Sequence, residues 1–254
     1  DVLTSRGLGD VYKRQGYMSI SFMDFASPID EQIVKKFIAR HRLVKKQPHL
    51  ELSEPVEPII YYLDRGTPEP VRSALIEGGN WWNEAFEYAG FKNAFRVELA
   101  PKGMDLLDVR YNAIQWVHRS TRGWSYGASV KDPRTGEIIK GHVSLGSLRV
   151  RQDYLIAQGL LQPFKTGDSG DKRMLQMALA RLRQLSAHEI GHTLGLSHNF
   201  SSSASGRSSV MDYPHPLISG DNDDLNFDIA YDTKIGAWDK CCLLYTSPSP
   251  RDVS

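Results

Sequence analysis

The period of the hydrophobic positions changes several times along this chain, and each change marks a candidate element. After residue 15, "GYMSISFMDF" alternates as a strand does. "SPIDEQIVKKFIARH" carries Ile29, Ile33 and Phe37 at four-residue spacing, with Val34 and Ile38 on the same face. With Ser27 as N-cap and Pro28 in the first turn, it predicts a helix over 27–41. The polar, proline-bearing stretch from Lys45 to Pro58 reads as a linker. "IIYYL" is then a short apolar strand. "TPEPVRSALIEGGNWWNEAFEYAGF" predicts one helix capped by Thr67, buried along Val71, Leu75, Trp82 and Phe86 and stopped by Gly90. "AFRVELA" and "AIQWVHRS" are two further strands. "WSYGASV" and "EIIKGHVSLG" flank the turn-forming "KDPRTG" and read as a hairpin. "SLRVRQDYLIAQGLL" predicts a short helix. After a loop at Thr166 to Gly170 comes a long helix, "DKRMLQMALARLRQLSAHEIGHTLGL", with Leu175, Leu179, Leu182, Ile190 and Leu194 at helical spacing. Together these elements predict an α+β (mixed α/β) fold whose sheet has one antiparallel member.

Composition narrows the possibilities without naming a function. The 254 residues, 41% of them hydrophobic, suffice for a sizeable core. A formal net charge of +1 gives no electrostatic case for nucleic acid, and no apolar run is long enough to span a bilayer. The basic run from Lys35 to Lys46 reads as a solvated helix face. The opening "DVLTSRGLGDVYKRQ" and closing "CCLLYTSPSPRDVS" resemble translated sequencing-adapter read-through, so 1–15 and 241–254 are expected to be artefactual tails. Cys241 and Cys242 fall in the second, which leaves no disulfide framework.

The chemistry concentrates in "HEIGHTLGLSHNF", His188 to Phe200. At about 100° per residue, His188 and His192 lie about 40° apart on one helix face, opposite Ile190, so the face that packs leaves the imidazoles to a cleft. Gly195 ends the helix, because glycine accepts the positive φ of a sharp return, and the turn brings His198 round as a third ligand. Three histidines leave one position of a tetrahedral zinc open to water, as in catalytic sites. Glu189 stands beside that position as the candidate general base. His118 and His142 sit in strand patterns and read as structural. Asp221, Asp223, Asp224 and Asp228 lack the spacing of a recognised calcium loop, so calcium is only a weakly supported second cofactor. Asn199-Phe200-Ser201 is a glycosylation sequon in form, discounted beside a zinc ligand.

Downstream, "SSVMDYP" follows the extended motif, and the pair resembles the metzincin clan of zinc endopeptidases. The resemblance implies that Met211 lies in a tight turn as a hydrophobic floor beneath the ligands. Tyr213, two residues on, matches the S-x-M-x-Y turn of the astacin and serralysin branches, which implies a zinc-ligating or oxyanion-donating tyrosine. "EPIIYYLD", "WWNEAF", "IQWVHRSTRGWSYGASVKDPRTGEIIKGHVSLGSLRVRQDYL", "LSAHEIGHTLGLSHNF" and "SVMDYPHP" resemble, over Gly16 to Lys240, large bacterial Met-zincin metalloproteases. That resemblance implies a metzincin-like twisted mixed sheet with an antiparallel edge strand, a backing helix, an active-site helix and a C-terminal subdomain after the third histidine. It also implies export from the cell, missing flanking domains, an upstream extension or linker over 16–57 and a catalytic domain over 58–240. The edge strand, Trp124, Ser125, Tyr126, Gly127, Ala128, Ser129 and Val130, would pair with an extended peptide or protein substrate. The expected function is a zinc-dependent endopeptidase. The alternatives are a zinc-stabilised module that binds peptides or glycans without cutting them, and a zinc hydrolase of a non-peptide amide or cell-wall material.

Overall fold

The computed structural model describes residues 16–120, 124–161, 172–221 and 224–246. Its centre is a five-stranded mixed sheet, formed by β3 (Ile59–Leu63), β4 (Phe95–Leu99), β5 (Asn112–Val117), β6 (Tyr126–Lys131) and β7 (Ile138–Gly146) in the order β4-β3-β5-β7-β6. All neighbours are parallel except β6, which pairs antiparallel with β7 at the edge, Gly127 opposite Val143. The hairpin read from "KDPRTG" therefore forms, and its turn closes with Gly136 N–H donating to Asp132 O at 2.8 Å. Among the described residues five helices accompany this sheet, and the fold is α+β and metzincin-like.

Three local readings need correction. The helix expected over 27–41 is absent: β1 (Ser19–Met23) and β2 (Val34–Ile38) form an antiparallel hairpin, Ile20 opposite Phe37. The four-residue spacing is real, but β-branched Ile33, Val34 and Ile38 suit extended backbone, and of the would-be stripe Ile38 packs against the core whereas Ile33 and Val34 are exposed and Ile29 fully so. Ser27 caps nothing, since its hydroxyl has no partner. The single helix expected from Thr67 is two, α1 (Val71–Asn80) and α2 (Trp82–Tyr88), and α1 starts behind Pro70 with no side-chain cap. The stripe itself holds, because Val71, Leu75, Trp82 and Phe86 are all buried, and Gly90 ends α2 at φ +88°. In α4 (Lys172–Thr193), Leu175 is exposed and Leu179 only partly buried, whereas Met174 and Met177 are buried against Phe227 and Tyr231. The helix shares its first turns with a second apolar cluster, which rotates the buried face by one residue.

The loop expected at Thr166 to Gly170 lies outside the described residues. Before α4 runs α3 (Leu148–Leu161), and after it come a short 3-10 helix (Phe200–Ser205), the small hairpin β8 (Ser219–Asp221) and β9 (Asp224–Asn226), and α5 (Ala237–Thr246). Of the four aspartates weighed for calcium, Asp223 is outside the described residues, and Asp221 faces Asp224 across β8–β9. The stretch from Lys45 to Pro58 folds back on itself through a Lys45–Pro55 bridge and touches the body through Ser53 and Phe91. Cys242 and Leu243 of α5 are buried in the main core, while Cys241 is exposed. Among the described residues no helix is long and apolar enough to cross a membrane.

What seats α4 is close backbone approach to α1. A Cβ on Gly78 would overlap the Arg183 carbonyl. Ser186 Oγ donates to Leu75 O at 2.7 Å, and Trp82 Nε1 donates to Ala187 O at 2.8 Å, so polar groups buried by this crossing are all used. Gly78→Ala is expected to cost about 1–3 kcal/mol in urea denaturation, since neither backbone can yield freely. A change within the noise would show that the crossing is looser than described.

Candidate metal centre

The α4 helix presents His188 and His192 one turn apart, with ring centroids 4.8 Å from each other. His198 returns to them after the Gly195 turn, its ring 5.2 Å from His188 and 4.5 Å from His192. Gly195 holds φ +104°, and a Cβ there would overlap the Ala39 carbonyl, so the turn has two separate reasons to be glycine. One nitrogen from each histidine lies within 4.8 Å of the others, and no other such group of three metal-binding side chains occurs among the described residues. His118 instead meets Ser147 Oγ at 2.9 Å, and His142 stays on β7.

Hydrogen bonds settle which nitrogen His188 and His192 offer. His188 Nδ1 lies 2.8 Å from Val210 O and His192 Nδ1 2.8 Å from Leu196 O. A carbonyl only accepts, so both Nδ1 atoms carry the proton and both Nε2 atoms keep a lone pair. The His188 Nε2 is buried with no partner, a costly state that a cation at the mouth of the cluster would relieve. Burial, then the neighbouring His192, pushes the His188 pKa down to about 3, and burial also lowers those of His192 and His198. The rings are therefore neutral at pH 7, the state a metal requires. The donor set and its geometry fit zinc.

Glu189, beside the cluster, is buried, and desolvation raises its pKa to about 7. Arg181 and the backbone of Gly127 work against that rise. Gly127 belongs to β6, and its backbone runs so close to α4 that a Cβ would overlap the Glu189 carbonyl. Of the predicted substrate strand, Trp124, Tyr126 and Val130 are exposed on the outer face, and Gly127 touches the site helix. Trp124 and Ser125 precede the strand proper.

Met211 is fully buried under Gly191, so it does lie beneath the helix that carries the histidines. Its turn is held from three sides. Asn199 N–H donates to Met211 O at 2.9 Å, and Gln184 Nε2 donates to Val210 O at 3.0 Å. Asp239 accepts from Ser209 Oγ at 2.6 Å and from Val210 N–H at 2.8 Å. Asp212 accepts from Ser202 at 3.0 Å, from Ser203 and from the Tyr213 N–H at 2.7 Å, tying the turn to the segment after His198. Tyr213 is half exposed, with its ring 5.2 Å from His188 and 4.6 Å from His198, and Phe200 stacks on His198 at 5.1 Å with its ring 5.6 Å from that of Tyr213.

Sequence reasoning missed Gln184, Arg181 and Asp239. The first two were within reach, since they lie four and seven residues before His188 on the same helix face. Asp239 gave no local signal, because it acts across 30 residues on the turn.

A protein family described as Met-zincin matches residues 170–246, which takes in α4, the third histidine, the Met211 turn and α5. No curated protein and no solved structure matches the chain. The family match and the three-histidine group together indicate a zinc metalloprotease-type site.

Two measurements follow. Zinc at a hundred times its dissociation constant is expected to stabilise the fold by about 2.7 kcal/mol, reversibly by chelator, and no zinc-dependent rise in Tm would remove the metal from this site. Asp239→Ala strands two buried donors at about 1–3 kcal/mol each, so its unfolding midpoint in urea should fall well below that of Asp232→Ala, whose aspartate is exposed.

Proposed function

We propose that this protein is a zinc-dependent endopeptidase, with His188, His192 and His198 as the ligands and Glu189 as the general base. The observation that carries this reading is the buried His188 Nε2, without a partner inside the protein, in a group where the Nδ1 protons of His188 and His192 are already committed to carbonyls. A zinc ion held there supplies a Lewis acid, which acidifies a water and polarises a peptide carbonyl.

The chain's own residues do the rest. Glu189 takes a proton from the attacking water as its oxygen bonds to the scissile carbon, then returns that proton to the leaving nitrogen as the C–N bond breaks. A carboxylate whose pKa is raised to about 7 suits both directions of transfer near neutral pH. The Gly127 backbone packs against Glu189, so the strand that would seat the substrate also abuts the base. Tyr213, half exposed and alongside His188 and His198, donates its hydroxyl to the oxygen that becomes negative. The free edge of β6 pairs with an extended peptide. Met211 holds the floor through packing and touches no substrate. In this reading the groups that touch substrate belong to a catalytic domain over 58–240 that acts on protein substrates outside the cytoplasm.

Glu189→Ala is expected to keep stoichiometric zinc and to lose hydrolysis of a quenched peptide by about 100-fold to 10,000-fold. Retained turnover would remove the base, and zinc binding with no turnover in the wild type would favour the binding-module alternative. Tyr213→Phe should lower kcat about 100-fold or more with KM little changed, and an unaltered kcat would end the donor role.

A further inference from the structure

The segment that precedes the expected catalytic domain is in contact with the turn that delivers the third histidine. Met18 N–H donates to Gly195 O at 2.7 Å, and Ser197 N–H donates to Gly16 O at 2.6 Å. These two bonds bracket an antiparallel bridge between Tyr17 and Leu196, which makes Gly16–Met18 a one-bridge strand alongside the turn. A second strand of the same extension backs it. Ala39 N–H donates to Met18 O at 2.9 Å, and the Ala39 carbonyl occupies the space that a side chain at Gly195 would need. Tyr17, Ala39 and Leu196 are all buried, so this is a packed junction and no surface strand in passing.

Leu196 is the link to the metal. Its N–H is spent on Gly191 O at the end of α4, at 2.9 Å, and its carbonyl receives His192 Nδ1. The peptide groups on either side of it are spent on Met18 and Gly16. Rotation of the Leu196 carbonyl would therefore break bonds to the extension, and it would release the His192 ring that the carbonyl orients. His198 follows two residues later on the same backbone.

The geometry points to Gly16–Met18, with Ala39 behind it, as a positioning clamp that completes the metal site: it fixes the Leu196 carbonyl that aims His192 and the turn that delivers His198. These residues lie outside the family match at 170–246 and outside the expected catalytic domain, so the site is assembled from two separate parts of the chain. The inference rests on reading the three histidines as ligands.

The test uses the whole chain. Met18→Pro removes the N–H that holds Gly195 O and leaves Tyr17 in the extended conformation that a residue before proline prefers. Zinc affinity, measured by chelator competition on the folded variant, is expected to fall about 10-fold to 100-fold, the usual cost of losing an outer partner of a metal ligand. The visible absorption of the cobalt-substituted variant should change with it, since it reports the ligand arrangement. Phe37→Ala, which removes the ring stacked on Phe22 elsewhere in the same hairpin, should loosen the hairpin and keep wild-type zinc affinity. Unchanged affinity and unchanged cobalt absorption in Met18→Pro overturn the clamp while leaving the ligands standing, and a wild type that binds no zinc overturns the ligands and the clamp with them. If Met18→Pro does not fold, amide exchange on the wild type decides: coupling is reciprocal, so zinc must slow exchange at Met18 and Ser197 together with the 188–198 amides. Zinc-insensitive exchange at Met18 and Ser197 overturns the clamp.

Discussion

One hydrogen bond, from His188 Nδ1 to the carbonyl of Val210, joins the two parts of this molecule that make its chemistry. On one side of it stands the helix that the sheet and α1 hold in place; on the other is the methionine turn that α5 holds through Asp239. The bond fixes a proton on one nitrogen and so leaves the other nitrogen bare. Val210 O also receives Gln184, and Val210 N–H is committed to Asp239, so both backbone groups of the residue that orients the histidine are satisfied. Loosening the turn would let the ring rotate, and loosening the helix would withdraw the ring.

The same logic repeats around the other two histidines. His192 is aimed by Leu196 O, which belongs to a turn gripped by the N-terminal extension. The segment after His198 is tied to the methionine turn by Asn199 and by the serines on Asp212. The His188 and His192 rings are thus held by backbone that is itself held, the chain around His198 is tied down, and burial keeps all three rings neutral. This is why the centre can carry a buried nitrogen without a protein partner. The cost of that nitrogen is spread over a scaffold with few other unmet polar groups.

Legibility varied with the range of the forces involved. The histidine spacing, the glycine turn and the alternation of β3 to β7 were readable, because each follows from a local period of 3.6 or 2 residues. The hairpin at 19–38 was not, although its residues carry a helical spacing. A four-residue period licenses a helix only if a core surface is there to receive the whole stripe, and here the core meets Ile38 while Ile29, Ile33 and Val34 stay exposed. Thr67 failed as a cap for a related reason, since the turn through Pro68 and Pro70 postpones the helix to Val71. A single continuous stripe would bury Leu175, but α4 meets two apolar clusters in succession, one along its first turns and one along the rest.

By itself the sequence determined which side chains could share an ion and on which helix face they stand, since helix geometry is set by the backbone alone. It also determined that the sheet would be mixed with one reversed strand at a turn-forming sequence. Only the tertiary structure decided what aims those side chains. Asp239, Gly127, Leu196 and the Gly16–Met18 segment act on the histidines and Glu189 through single hydrogen bonds and close backbone approach across tens to more than a hundred residues. Contacts of that kind leave no period in the chain, because their spacing is set by how the elements pack and by nothing local.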